Sequence, residues 1–359
     1  MKKKLKYSLL LLLLVVTTGC TTYLKDTEGK PIVNPSTGQS LTENILCRPT
    51  DEETIKLYEE NNYDLSKLPY CVCKSKKIVE KVEKEETQEE VKETNKNSKD
   101  KKSEKQEEIV QEEKYEEIEV DCEEFKVTSG KYEGLWTSIF VKPLAWVILF
   151  FGKFTNSFGF GLIITSILIR LIVYPLTKKS TVQAENMKKI QPELQKLEKK
   201  YANKDQKDRE VMMQKSQEMM ALYKKHNVSP MAGCLPALLQ LPLFIAFLDA
   251  INRVPAIFEE KFLLFHLGTT PKIGIVGGNW GYLILTLLVA LTTYYSLNKA
   301  SNNQTANDEM AKQTKMMSNV FTIMIIVMSI FMSSALNIYW ITSNLCTLLQ
   351  NYIVKRSMK

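Results

Sequence analysis

Residues 158–177 read FGFGLIITSILIRLIVYPLT and are followed at once by Lys178-Lys179. A run of this length, close to the ~20 apolar residues that cross a ~30 Å hydrocarbon core, reads as a transmembrane helix. Its single charge is Arg170, with Ser166, Tyr174 and Thr177 on the same helical face at spacings of four and three. A guanidinium near the middle of a span costs about 2.5–3.5 kcal/mol on insertion scales, less toward the edge. Snorkelling toward the inner headgroups is one way to relieve that cost. No acidic residue lies at a matching depth in any other apolar run, however, so the sequence also points to a hydrated polar cavity inside a bundle.

Working outward, further spans fall at about 229–250, 280–297 and 318–352. The last is too long for one helix and divides at Ser333-Ser334-Ala335, giving five spans. The connection at 178–228 carries thirteen Lys or Arg against seven Asp or Glu, and the tail holds Lys355, Arg356 and Lys359. Basic connections stay in the cytoplasm. The amino-terminal part therefore lies outside and the carboxy terminus inside. The apolar stretch 135–151 has Lys142-Pro143 at its centre. Were it to span, the preceding segment would be cytoplasmic, so residues 134–155 read as an amphipathic helix lying on the outer surface.

The amino terminus supports this orientation. Four lysines within Met1–Lys6, the apolar run Leu9–Val16 and Thr17-Thr18-Gly19-Cys20 form a secretory signal over 1–19. The Cys after a small residue also resembles a lipobox, with Cys20 as the lipidated residue, although Thr17 stands where an aliphatic residue is usual. Beyond it lie an exported segment, 20–74, and a charged low-complexity tether, 75–130. Both are rich in turn residues or in Lys and Glu, and neither shows a convincing core. Cys47, Cys71, Cys73 and Cys122 fall in this oxidising environment, where four cysteines allow three pairings. Structural disulfides are favoured over a metal or redox role for Cys71-Val72-Cys73.

The basic connection 178–228 has its own periodicity. Ile190, Leu194, Leu197 and Tyr201 repeat at helical spacing, as do Met212, Ser216, Met219 and Tyr223, with a turn at Ala202-Asn203-Lys204-Asp205. This is a helical hairpin. Met212, Met213, Met219 and Met220 are unbranched and polarizable, which suits a surface receiving varied apolar partners, though packing of the hairpin on itself also accounts for much of the pattern. In the spans, Gln240, Thr292, Thr293, Ser296, Asn337 and Asn344 join Ser166 and Arg170 as candidate lining of the cavity. The chain of 359 residues has two histidines and no HExxH, CxxC or GxxxxGK[ST] pattern. A zinc hydrolase, a thioredoxin-type oxidoreductase and a P-loop ATPase are thus disfavoured, and neither cofactor nor metal is expected.

Several stretches carry a family resemblance: Thr165 to Leu176, Gln191-Pro192-Glu193-Leu194, Ser229-Pro230-Met231-Ala232-Gly233-Cys234-Leu235-Pro236 with Gln240-Leu241-Pro242, and Tyr339-Trp340-Ile341-Thr342-Ser343-Asn344 with Gln350. In this order over about 134–356, they resemble the signatures of the YidC, Oxa and Albino membrane protein insertases, in the five-span lipoprotein form of Gram-positive-type bacteria. Ser333-Ser334-Ala335 departs from the Pro-x-Gly usual at that turn. The resemblance implies an all-α polytopic protein of the bacterial cytoplasmic membrane, with five transmembrane helices, an outer amphipathic helix and a cytoplasmic hairpin in an insertase core, 158–356. It implies a groove open to the cytoplasm and to lipid, around Arg170 and lined by Trp340, and a hairpin that recruits clients. The implied partners are nascent membrane proteins and lipids, with the ribosome and the Sec translocon as further candidates. No covalent chemistry and no sequence-specific nucleic-acid binding are implied. The residues themselves leave open a small-solute transporter with Arg170 as anion site, or an adaptor acting through its exported tract.

Overall fold

The computed structural model describes residues 21–73, 76–80, 114–118, 122–204, 208–229, 235–301 and 309–358. The signal segment, Cys20 and part of the 229–236 motif lie outside these. The chain is mostly helical. Its helices are α1 Glu52–Glu60, α2 Lys142–Thr155, α3 Phe158–Ala202, α4 Arg209–Lys225, α5 Leu235–Asn252, α6 Pro255–Glu259, α7 Pro271–Val276, α8 Gly281–Ser301, α9 Glu309–Phe331 and α10 Ser334–Ser357. A π-helical turn, Thr137–Val141, leads into α2. Two antiparallel ladders modify the all-α expectation: β1 Lys76–Glu80 with β2 Lys114–Ile118, and β3 Lys261–Phe262 with β4 Phe265–His266.

By length and composition, Thr137–Thr155 and Phe158–Ala202 each suffice to cross a bilayer; Gln240–Asn252, Gly281–Leu297 and Ser318–Phe331 are shorter apolar helices. α3 runs unbroken from the Arg170 stretch through the first arm of the hairpin, with Pro175 and Pro192 inside it. Glu260 caps its start, accepting a hydrogen bond from Ser157 Oγ at 2.5 Å and one from the Phe158 backbone N–H. A carboxylate there meets both the unpaired N–H groups and the positive end of the helix dipole. The main packing pairs are α2 with α3, α10 with α3 and α8, and α9 with α8. Between α9 and α10 the chain breaks at Met332-Ser333.

The 21–72 region differs from the coreless reading. Leu41, Ile45 and Tyr58 form a small core, flanked by Leu24, Ile32, Leu57 and Leu68. Its apolar residues are scattered among turns, so neither a period of two nor one of 3.6 reveals them. Asp51 caps α1 by accepting from the Thr54 N–H at 2.9 Å. A disulfide joins Cys47 to Cys71, and both sulfurs sit in the main core with Trp136, Val254, Leu267 and Ala335. Phe125 is buried in that core as well, and Lys142 Nζ donates to the carbonyls of Ser129 and Lys131, so part of the 122–130 stretch packs against the bundle. Residues 73–123 form a separate unit, whose described parts are the β1–β2 ladder and the Cys73–Cys122 disulfide.

Candidate functional site

Arg170 sits half-buried where α3, α5 and α10 meet. Its Nε donates to Ser343 Oγ at 3.0 Å, and its Nη2 donates to Gln240 Oε1 at 2.5 Å and also to Ser343 Oγ. Gln240 in turn donates through Nε2 to Tyr339 Oη at 3.0 Å, and Gln350 Nε2 donates to the Arg170 carbonyl at 3.1 Å. All these acceptors are neutral. Among the described residues no carboxylate pairs with Arg170, so its hydrogen bonds are met while its charge is not. Such an arrangement fixes a positive site between helices.

A second polar set lies on another face of α10. Thr293 Oγ1 accepts from Trp340 Nε1 at 3.1 Å and from Asn344 Nδ2 at 2.9 Å. Tyr339 and Ser343 occupy one face of α10 at i, i+4, and Trp340 and Asn344 the next, so one helix carries both sets. Aromatic packing joins them: Phe244 meets Trp340 edge-on with centroids 5.0 Å apart, and Phe247 stacks on Tyr339 at 4.1 Å.

The structure redistributes the polar residues expected to line one cavity. Arg170 and Gln240 come together, as do Thr293, Trp340 and Asn344. Asn337 Nδ2 donates to the Ser329 carbonyl at 2.9 Å and thereby satisfies a carbonyl at the carboxy end of α9. The hydroxyls of Ser166 and Thr292 donate within their own helices, to the Leu162 and Leu288 carbonyls at 2.6 and 2.8 Å. Ser296 is buried on α8. Ser343 and Tyr339, both within the motif 339–344, complete the Arg170 network, and nothing in the sequence marks them for it, since a hydroxyl in an apolar helix gives no sign of which neighbour it faces.

In the hairpin, Ile190, Leu194, Tyr223 and Val228 form the core, with Met187, Met219 and Leu222 against it. Met212, Met213 and Met220 are exposed at 53%, 58% and 50%. The four-methionine face is therefore divided, and Met219 belongs to the packing. Glu193 ties the two arms, with its carboxylate 3.2 Å from His226 Nε2 and 3.7 Å from Lys225 Nζ. The hydrogen bond with His226, helped by Lys225, holds the Glu193 carboxyl below the usual carboxylate range.

Long apolar helices that bury an arginine and a ring of neutral hydrogen-bonding side chains define a helical membrane protein with a polar interior site. Residues 150–359 match the profile of the family described as 60Kd inner membrane protein. The chain is 37% identical over 227 residues to "Membrane protein insertase YidC 1" of Halalkalibacterium halodurans, covering 63% of this chain and 81% of the relative. It is 39% identical over 223 residues to "Membrane protein insertase MisCA" of Bacillus subtilis, covering 61% and 79%. A solved structure titled "Active YidC insertase crystal structure with the first transmembrane domain resolved" is similar with a TM-score of 0.44 at 25% identity, over 63% of this chain and 48% of that one. The chain belongs to the YidC family of membrane protein insertases, a family of bacterial membrane proteins and not of enzymes.

Proposed function

We propose that the protein inserts nascent membrane proteins into the cytoplasmic membrane, receiving them in a groove around Arg170 that opens to the cytoplasm and to lipid. The observation that carries this reading is the guanidinium held among Ser343, Gln240 and α10 with no carboxylate beside it among the described residues. Such a charge attracts an acidic segment and keeps water near it, lowering the cost of moving a short polar tail partway across. The membrane potential, worth about 2.3 kcal/mol per charge per 100 mV, then favours outward movement of acidic residues. The client's apolar span leaves sideways into lipid by hydrophobic transfer. In this reading five spans form the core, residues 134–155 lie on the outer surface, the 178–228 hairpin recruits clients through Met212, Met213 and Met220, and Cys20 is lipidated after removal of 1–19. The solute-transporter alternative is not favoured, since the relatives are named insertases.

The test uses matched single-span clients that differ only in the charge of the outer tail. With Arg170→Lys, insertion of acidic-tailed clients should remain substantial, because charge and hydration survive the loss of the planar fork. Arg170→Ala should abolish it while neutral-tailed clients lose less. Equal loss for both tails would remove electrostatic recruitment from the mechanism.

A further inference from the structure

The amino-terminal module, together with Glu133 and Trp136 just ahead of α2, meets two buried charges at one end of the bundle. Asp249 and Arg253 lie one turn apart at the carboxy end of α5, 4% and 0% exposed. Asp249 Oδ1 accepts from the Thr21 N–H at 2.9 Å and from Thr21 Oγ1 at 2.5 Å, and its Oδ2 accepts from Trp136 Nε1 at 3.1 Å. Arg253 donates through Nε to the Asn44 carbonyl at 2.6 Å and through Nη2 to the Glu133 carboxylate. The carbonyls of Asn252, the last residue of α5, and of Arg253 just beyond it accept from the module too, from Thr42 Oγ1 and the Leu46 N–H respectively, both at 2.8 Å.

From there the contact passes to α10. Gly38, at φ +69°, brings the module so close to α7 that a Cβ would lie 1.7 Å from Ile273 Cδ1. A Cβ on Gly268 would stand 3.2 Å from Gln39 Oε1. On either side of Gly268, the Leu267 carbonyl accepts from the Ala335 N–H at 2.9 Å, and the Thr269 carbonyl accepts from the Ser334 N–H at 3.0 Å. The unpaired N–H groups that open α10 are thus held by a segment pressed against the module.

We propose that residues 21–72 are an intramolecular clamp, stapled by Cys47–Cys71, that locks the end of α5, the 255–276 connection and the start of α10 together at the outer end of the bundle. These residues precede the segment matched by the family, which begins at residue 150. The clamp is a property of the fold and stands apart from the insertase reading.

Hydrogen exchange of the full-length protein in lipid nanodiscs tests it, following peptides that contain Leu46 and Ser334-Ala335. Asp249→Asn, Thr42→Val and the pair Cys47→Ala/Cys71→Ala should each raise exchange at Leu46, and at Ser334-Ala335 with it, by about tenfold, the scale of one lost hydrogen bond. Cys73→Ala/Cys122→Ala, in the separate unit, should leave both unchanged. Thr42→Val, which keeps its shape and loses one hydroxyl, supplies the comparison if the stronger variants do not fold. Faster exchange at Leu46 alone would make the module a passive tether. An unchanged Leu46, or an equal rise in the Cys73/Cys122 variant, would likewise overturn the clamp.

Discussion

Thr293 illustrates how a single hydroxyl organises the interior. It is 1% exposed and is the acceptor for both Trp340 Nε1 and Asn344 Nδ2. Thr293→Val keeps the volume and removes the acceptor, leaving two half-buried donors without it, at a cost toward the lower end of about 1–3 kcal/mol each. The expected result is a lower melting temperature with altered Trp fluorescence, and recovery of most of the loss in Thr293→Ser. An unshifted melt for Val would show that other groups satisfy these donors. At this scale Arg170 was legible from its cost alone, whereas its ligands were not. Ser166, one turn away on the same helix, instead bonds its own backbone, and Ser343, which is 173 residues distant, supplies the contact.

Among the elements, the hairpin lets the proposed recruitment be tested apart from folding. Met212, Met213 and Met220 changed together to Ser should slow insertion into reconstituted vesicles while leaving hairpin stability nearly unchanged, because their side chains are solvated already. Met219→Ser should do the reverse, loosening the hairpin core and raising amide exchange around Leu194 and Tyr223. Insertion kinetics and exchange, measured on the same samples, distinguish these outcomes. The hairpin is also sensitive to acid through Glu193. Its folded carboxyl titrates below the ordinary value of 4.5, so the stabilisation it provides is complete above that value and is lost as pH falls through the lowered one. Amide exchange across the hairpin should therefore differ between wild type and Glu193→Gln at neutral pH and converge in acid. Coincidence of the two at neutral pH would show that the Glu193–His226 contact contributes nothing.

For the molecule as a whole, the 73–123 unit is separate from the rest. Excision of residues 81–113, joining the two strands by a short turn, should leave growth intact in a strain depleted of its own insertase. Removal of 21–72 should instead lower the yield of folded protein, since Asp249 would lose Thr21 and Arg253 the Asn44 carbonyl, leaving each with a single partner from the 133–136 segment. Loss of growth at normal protein levels after the first deletion would reveal a working role for the charged tract.

The amino-acid sequence alone determined the helical class, the position of the Arg170 stretch, the hairpin and the family, because apolar run length, helical period and ordered motifs are local properties of the chain. The break near Ser333 was legible for the same reason, as a run too long for one helix. Only the tertiary structure decided which polar residues meet. It divided the expected lining between Arg170 with Gln240 and Thr293 with Trp340 and Asn344, and it gave Asn337 to the end of α9. It also selected Cys47–Cys71 and Cys73–Cys122 from three pairings, and found in 21–72 a core that no local pattern announces. The physical reason is common to these cases. A hydrogen bond or a disulfide between distant residues depends on which faces pack together, and packing is settled by the whole bundle rather than by any one segment.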